Sequence, residues 1–304
     1  MGQVTSNILV FFFIMVLSFL VKKRQLMPEN TISVLTALLF NITLPALIFS
    51  SVVRGPGLEI LREGIALIGI ALTHYVVVCL VAVLWLRKVS KSNPDAGVFA
   101  FAAIFANTSF MGLPLVYLLF GESGVVLGAI YDLVQTLFMF TLGIMFLGGK
   151  EEGVLKTFQS QLKEPPVIAL LLGLIVLLAG IKLPVILLEP FKMLGSTTSV
   201  LAMFAIGQYM EPGCFKDWGQ LKKLVPLVAI KLVVVPLAIL GLASFLPLTT
   251  QVKGVLAIML ASPTAILAAV FAEKYKQDYK FAVMAVVATT GLSILTLPFI
   301  LSLL

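Results

Sequence analysis

Residues 105–115 read FANTSFMGLPL, and this stretch decides how the whole sequence is interpreted. Three consecutive polar residues, Asn107, Thr108 and Ser109, lie with Gly112 and Pro114 inside an otherwise apolar segment. Proline removes a backbone donor and clashes with the preceding helical turn. A membrane helix tolerates the freed backbone groups only where they are buried in protein or line a water-filled cavity. The stretch therefore predicts a broken transmembrane helix beside a polar site.

The same theme recurs roughly half the chain later, where residues 260–266 read LASPTAI. A half-helix that starts at such a break directs free N–H groups and a positive dipole end at its surroundings, which favours an anion. The alternative is two plain proline kinks, with polar side chains bonded to their own helices. Two breaks in corresponding halves favour a binding site for a small anion. The candidate substrate-binding residues are Asn107, Thr108, Ser109, Pro114, Ser262, Pro263 and Thr264.

Two further amides are candidates for contact with the substrate. Asn41 opens the stretch NITLPA at residues 41–46, and Gln208 lies near the end of another apolar segment. Asn41 lines the site or forms a hydrogen bond between helices, and the hydrogen bond is the simpler interpretation. Gln208 is expected to meet the substrate.

The composition identifies a membrane protein. Of the 304 residues, 60% are hydrophobic and 12% are charged, with a mean hydropathy of +1.13. A soluble domain has about twice that share of charge. Apolar runs long enough to cross a bilayer recur along the chain. Because they lack the alternation of a β-barrel, only helices fit them.

The sequence predicts ten spans and an all-α fold. They cover roughly residues 7–21, 31–53, 64–86, 97–119, 123–148, 166–181, 192–210, 224–246, 254–272 and 280–303. Five spans on each side of a short linker give two halves of opposite topology. Such inverted repeats are common in transporters, and their binding site lies where the halves meet. We therefore expect a first repeat at 1–149, a cytoplasmic linker at 150–165 and a second repeat at 166–304, with spans four and nine broken.

Loop charges predict the orientation. Of the 21 basic residues, 15 follow odd-numbered spans and 5 follow even-numbered ones, while Lys231 lies inside span eight. Cytoplasmic loops carry the excess of positive charge. Both termini are therefore expected outside the cell, in a multi-pass protein of the cell (inner) membrane.

Three ionisable residues lie within the predicted spans: His74, Asp132 and Lys231. A charge at the bilayer centre costs a few kcal/mol, so each is a candidate for coupling transport to protons. Lys231 could instead extend to the interface, Asp132 could form a static ion pair, and His74 could form an interhelical hydrogen bond.

Four stretches together resemble the auxin efflux carrier family. They are NITLPALIF (41–49), NTSFMGLPL (107–115), AMFAIGQYM (202–210) and FAEKYKQD (271–278), in the family's order over nearly the whole chain. The central loop is short, as in the bacterial permeases for malate, malonate and other organic acids. In span nine, Ser262-Pro263-Thr264 stands where the plant carriers tend toward Leu-Pro-Gln, which argues against auxin as the substrate.

The resemblance implies an elevator-type carrier. Spans one, two, six and seven would form a scaffold that often dimerises, and the other spans would form a mobile transport domain. Spans four and nine would cross at Pro114 and Pro263, and Asn107 would help to bind the substrate carboxylate. Asn41 and Gln208 on the scaffold would meet the anion in only part of the cycle.

The sequence offers little for other function classes. It contains no GxxxxGK[ST] motif for ATP and no HExxH motif, so neither an ATP-driven pump nor a metalloenzyme is indicated. Cys79 and Cys214 lack metal-ligand spacing, and no cofactor is expected. The net charge of +7 is spread over short loops, which argues against nucleic acid. A secondary transporter of organic anions is the leading hypothesis, and a channel or a non-transporting sensor is the alternative.

Overall fold

The computed structural model describes residues 2–28, 30–54, 59–89, 95–148, 156, 159–160, 162–209 and 218–303. The side chains of residues 2–8, 59, 61, 218 and 219 are not among those described. Several predictions fall outside this part of the chain. They concern Cys214, the basic residues Lys91, Lys150 and Lys216, and most of the linker 150–165.

Every regular element in the described residues is a helix. In chain order the helices are α1 (Gly2–Lys23), α2 (Thr31–Arg54), α3 (Glu59–Val89), α4 (Ala96–Ile104), α5 (Thr108–Phe146), α6 (Pro165–Leu178), α7 (Val185–Tyr209), α8 (Trp218–Ala229, continued by Ile230–Val234 and Val235–Ala243), α9 (Thr250–Ala261), α10 (Leu267–Lys274) and α11 (Tyr279–Leu301). Six of them, α2, α3, α5, α7, α8 and α11, are long and apolar enough to cross a membrane. The protein is thus an all-helical membrane protein with several spans.

Both predicted helix breaks are present. α4 ends at Ile104 and α5 begins at Thr108, while α9 ends at Ala261 and α10 begins at Leu267. α6 and α9 are apolar but shorter than a full crossing. The ten-span inverted repeat remains a prediction, because six helices in the described residues meet the requirements of length and hydropathy.

α5 is two antiparallel arms rather than one rod. Its 39 residues would extend about 58 Å if straight, nearly twice the thickness of a hydrocarbon core. Gly121 interrupts it with φ 64° and ψ −152°, a conformation that side chains disfavour. Beyond this turn the chain folds back, since a Cβ on Gly128 would lie 2.8 Å from Leu113 Cδ2. We call residues 108–120 the first arm and residues 122–146 the second arm.

Three prolines are accommodated by widened helical turns instead of breaks. Each of Pro45, Pro114 and Pro236 follows a five-residue π-helical turn by two positions. The turns are Leu39–Thr43, Thr108–Gly112 and Ile230–Val234. A proline ring clashes with the carbonyl four residues earlier, and an i→i+5 turn moves that carbonyl away. The helices therefore continue through these prolines.

Helices α1, α2, α6 and α7 pack closely on one another. Glycines allow the approach: a Cβ on Gly207 of α7 would lie 2.3 Å from the Met15 carbonyl oxygen of α1, and one on Gly195 would lie 2.7 Å from Leu47 Cα of α2. Small residues at such contacts let membrane helices pack backbone to backbone. The second arm of α5 packs on α3 and α9, and α11 packs on α8, α9 and α10.

Candidate substrate-binding site at the helix crossover

The two broken helices meet backbone to backbone. Ala106 and Thr264 form an isolated antiparallel bridge. The Asn107 N–H donates to the Pro263 carbonyl oxygen at 2.7 Å, and the Ala265 N–H donates to the Phe105 carbonyl oxygen at 2.9 Å. A chain that leaves helical geometry inside a membrane must pair its backbone groups within the protein. Each broken helix provides the pairing that the other needs.

Five backbone N–H groups beside this bridge are left without an acceptor among the described residues. They belong to Thr108, Ser109 and Phe110 at the start of α5, and to Ile266 and Leu267 at the start of α10. The first N–H groups of any helix have no intrahelical partner, and the helix dipole adds positive potential there. Two such termini at one crossover concentrate unpaired donors in one place.

Asn107 adds a sixth unpaired donor. Asn107 is 4% exposed, and its Nδ2 has no hydrogen-bond partner among the residues that the structure describes. A buried amide without a partner is unfavourable by roughly 1–3 kcal/mol, so native structures rarely leave one unused. Asn107 lines a cavity of about 700 Å³ between α2, the crossover, α5 and α10. Thr108, Ser109, Phe110, Ile266 and Leu267 line the same cavity, so the unpaired donors converge on one space.

The resemblance implied that the two helices cross at Pro114, but the crossover lies earlier in the chain. The paired residues of the first half are Phe105 to Asn107, seven or more positions earlier. Pro114 stands in the first turn of regular helix after the π-helical turn, where a missing N–H is well tolerated. Pro263 does lie in the crossover, and its carbonyl oxygen accepts from Asn107.

Ser262 and Thr264 support the crossover and are absent from the cavity wall. The Ser262 hydroxyl donates to the Ile258 carbonyl oxygen at 2.7 Å, and the Thr264 hydroxyl donates to the Ala102 carbonyl oxygen at 2.8 Å. The Thr264 N–H donates to Thr289 Oγ1 of α11 at 3.0 Å. In this half, the cavity wall begins at Ala265.

Gln135 lines the cavity and holds the crossover in place, a role that the sequence did not reveal. Its Nε2 donates to the Ala106 carbonyl oxygen at 2.8 Å, while its Oε1 accepts from the Ala106 N–H at 3.1 Å. Nε2 also donates to Thr108 Oγ1 at 2.5 Å, and the Tyr75 hydroxyl donates to Oε1 at 2.6 Å. The side-chain amide thus pairs with the crossover as a third strand would. The available signal was a lone amide in an apolar segment.

Asp132 lies one turn before Gln135 on the second arm of α5. Its carboxylate accepts hydrogen bonds from the hydroxyls of Thr108 and of Ser109, the latter at 2.8 Å. Asp132 is 9% exposed and borders a small cavity of about 80 Å³ that Glu164 also lines. Its partners are hydroxyls rather than the basic residue that a static ion pair would need. The first turn of α5 therefore stands between Asp132 and the substrate cavity.

His74 and Lys231 lie away from the substrate cavity. His74 Nδ1 is 3.0 Å from the Tyr131 hydroxyl, the interhelical bond that the sequence offered as one alternative. Lys231 is 2% exposed and donates to the Ile104 carbonyl oxygen at 3.2 Å, at the end of α4. A cation at a helix C-terminus complements the dipole. Full burial contradicts the alternative in which Lys231 extends to the interface.

The two other amides have different positions. Asn41 lines the substrate cavity, and its Nδ2 donates to the Ala37 carbonyl oxygen one turn earlier at 2.9 Å. Gln208 lies between α1 and α7, where Nε2 donates to both oxygens of Ser18 at 2.8 Å. The structure brings Asn41 to the site and places Gln208 outside the cavity wall.

In the part of the chain that the structure describes, no group of three or more His, Cys, Asp or Glu residues could hold a metal ion. Cys79 is buried.

Comparison with known proteins gives the family. The family profile described as membrane transport protein matches residues 3–301. The chain is 24% identical over 301 residues to an uncharacterized transporter of Methanocaldococcus jannaschii, covering 95% of each chain. It is 25% identical over 280 residues to an uncharacterized transporter of Escherichia coli K12, covering 86% of this chain and 85% of the relative.

A putative malonate transporter of Rhizobium meliloti is 29% identical over 127 residues, which cover 41% of this chain and 39% of that protein. The match of the family profile spans nearly the entire sequence. The chain is therefore a membrane transport protein that belongs to the auxin efflux carrier family.

Proposed function

We propose that this protein is a secondary transporter that moves small organic acid anions, such as malate, malonate or another carboxylate. The observation that carries the proposal is the cluster of unpaired donors at the crossover, five backbone N–H groups and the Asn107 amide. The match to a putative malonate transporter supports a carboxylate as the cargo.

The chemistry of the donors supports an anion. A carboxylate offers two oxygens with about four acceptor sites and no donor. N–H groups at two helix starts, aided by the helix dipoles, are a known means of binding anionic substrates in transporters with broken helices. Such a site releases its cargo more readily than an ion pair with lysine would, because each terminus carries only about half a charge.

We propose that the chain crosses the membrane ten times, as two inverted five-helix repeats with both termini outside the cell. In this arrangement the cavity opens toward the cytoplasm, because Asn30, Glu164 and Glu273 line it and adjoin loops rich in basic residues. The described conformation would then be the one that exchanges substrate with the cytoplasm.

The proposed movement is an elevator. α1, α2, α6 and α7 would form a fixed scaffold that dimerises, and the crossover with its supporting helices would move. Gln135 and Thr289 tie the crossover to α5 and α11, which supports movement as one body. Asn41 on the scaffold meets the cavity in this conformation and would lose the anion as the crossover moves away.

The energy would come from an ion or substrate gradient. Asp132 is the preferred candidate for a coupling proton, because its carboxylate touches the first turn of α5. His74 and Lys231 are second candidates, since they lie behind the crossover.

The test is uptake and counterflow of radiolabelled carboxylates in proteoliposomes. A carrier gives saturable uptake that unlabelled substrate inside the vesicles accelerates, whereas a channel shows no acceleration. Asn107→Ala should abolish binding without lowering the melting temperature, because its amide has no partner to lose. Gln208→Ala is the matched control: it removes another buried amide, but one bonded to α1, so it should reduce stability and leave affinity intact. Wild-type affinity in Asn107→Ala would place the anion elsewhere.

A further inference from the structure

The unpaired donors found in the described wall of the substrate cavity belong to the helix crossover. All six unpaired donors cluster at the crossover, around Asn107 and the starts of α5 and α10. One carboxylate has about four acceptor sites, so the cluster can engage both of its oxygens. A second carboxylate on the same ligand would have to find partners in the rest of the cavity.

The rest of the described wall offers no cation to a second negative charge. It combines neutral polar side chains with apolar and aromatic ones, among them Phe40, Phe110, Met139, Phe140 and Val270. The described lining residues contain no lysine, arginine or histidine. The charged side chains among them are Glu164 and Glu273, and both are acidic.

These two glutamates adjoin the loops toward which we propose that the cavity opens. Glu273 follows Leu267 by six residues of α10, which places it about 9 Å along the helix from the free N–H groups. Glu164 immediately precedes α6, and partial burial raises the pKa of its carboxyl group. That direction means that the surroundings already disfavour negative charge there. Neither glutamate has a basic partner in the described part of the chain.

A dicarboxylate bound through one end would therefore place its second charge near Glu164 and Glu273, without a compensating cation in the described part of the wall. A monocarboxylate would place an apolar or hydroxylated tail against the aromatic wall instead.

We infer that the cavity accepts one carboxylate per ligand, so that the protein selects monocarboxylates over dicarboxylates of the same length. This inference rests on the proposed function, because it concerns the same site. It narrows the proposed cargo from organic acid anions in general to carboxylates with an uncharged remainder, and it places malate and malonate, which carry two carboxylates, among the weaker ligands.

The test compares matched pairs: propionate with malonate, butyrate with succinate, and hexanoate with adipate. Binding to purified protein is measured at pH 7 from the concentration dependence of the melting temperature, because a ligand of the folded state raises stability in proportion to its occupancy. Sodium concentration is held equal throughout. We expect each monocarboxylate to bind at least about tenfold more tightly than its partner, or about 1.4 kcal/mol.

Variants of the glutamates in the cavity wall test whether their charge causes the selectivity. Glu273→Gln, an exposed position that should tolerate the change, is expected to raise affinity for malonate and succinate more than for propionate and butyrate. Glu189→Gln is the matched control, because it neutralises a glutamate that pairs with Lys192 on α7 outside the cavity. It should leave the ratio within each pair unchanged.

The outcomes separate the two proposals. Malonate binding as tightly as propionate, with Asn107→Ala abolishing both, would overturn the selectivity and leave the carboxylate site standing. Binding of none of the six acids to folded protein would count against the proposed function and the selectivity together. A preference for monocarboxylates that Glu273→Gln and Glu164→Gln both leave unchanged would refute the acidic wall as its cause.

Discussion

Replacing Asp132 by asparagine should make anion binding insensitive to pH. Asp132 accepts hydrogen bonds from Thr108 and Ser109, and the N–H groups of the same two residues are proposed to hold the substrate. An ionised Asp132 and a bound carboxylate therefore repel each other through one helical turn. In the wild type, the anion should bind together with a proton, and its affinity should fall as pH rises through the range in which Asp132 loses that proton.

The size of the effect follows from the geometry. Ser109 Oγ lies 2.8 Å from Asp132 Oδ2, and a carboxylate on the Ser109 N–H would lie about 2.9 Å from that nitrogen. The two charges are then roughly 6–8 Å apart, which at an effective dielectric constant of about 20 corresponds to about 2–3 kcal/mol. Affinity for the anion should change roughly 30- to 100-fold between the two protonation states.

The assay is the dissociation constant of propionate as a function of pH, above the range in which propionate itself titrates. Wild type should weaken as pH rises, and Asp132→Asn should remain tight throughout. Other titratable groups near Asp132 need separate variants. They are Tyr131 on the same helix, Tyr75 and His74 on α3, and Glu164 beside the small cavity.

The reasoning fails if Asp132→Asn keeps the pH dependence of the wild type. It fails equally if the variant is flat but binds propionate more weakly than the wild type does at any pH, since asparagine would then be removing a contact and not a charge. Tyr131→Phe and Glu164→Gln should each retain the slope. If the pH dependence of affinity were lost in Glu164→Gln alone, the coupling group would be Glu164, in the loop before α6.

Three further changes test the supporting structure. Gln135→Leu leaves the crossover backbone without its side-chain partner, and each unsatisfied group is unfavourable by about 1–3 kcal/mol, so the melting temperature in detergent should fall markedly. Gly121→Ala should cost about 1–3 kcal/mol, because φ 64° with ψ −152° is a conformation almost confined to glycine, although a Cβ would have open space. Gly69→Ala, in a helix with equal space, should stabilise the protein. Ile48 on α2 and Ala129 on α5 line the same small cavity. Cysteines at these two positions, in a background lacking the native cysteines, should stop transport when crosslinked and leave binding intact. Full transport with complete crosslinking would contradict the elevator.

The breaks could be predicted because a polar triplet and a proline are incompatible with a lipid-facing helix. Their exact position could not. The sequence pointed to Pro114, but a helix absorbs a proline in its first turn when the preceding turn widens, and Pro45 and Pro236 show the same solution. Helix continuation beyond a proline depends on packing that one sequence does not display.

The sequence identified the polar residues of the site more readily than the directions in which their side chains point. Asn107 and Asn41 face the cavity, whereas Gln208 faces α1 and Thr264 faces α4. Each is a polar residue in an apolar helix, so composition treats them alike. Which face a membrane helix turns toward its neighbours is set by close glycine contacts that are non-local in sequence. Gln135 was passed over as a site residue for the same reason.

The amide of Gln135 has a further consequence for how the protein can be observed. Gln135 pairs with both backbone groups of Ala106, so the crossover keeps a fixed position relative to the second arm of α5, within about a hydrogen-bond length. A spectroscopic label on an outward-facing residue of that arm, such as Met145, would then report where the site stands relative to the scaffold without touching the site. The distance from such a label to one on α7 would measure how far the site moves relative to the scaffold during the transport cycle.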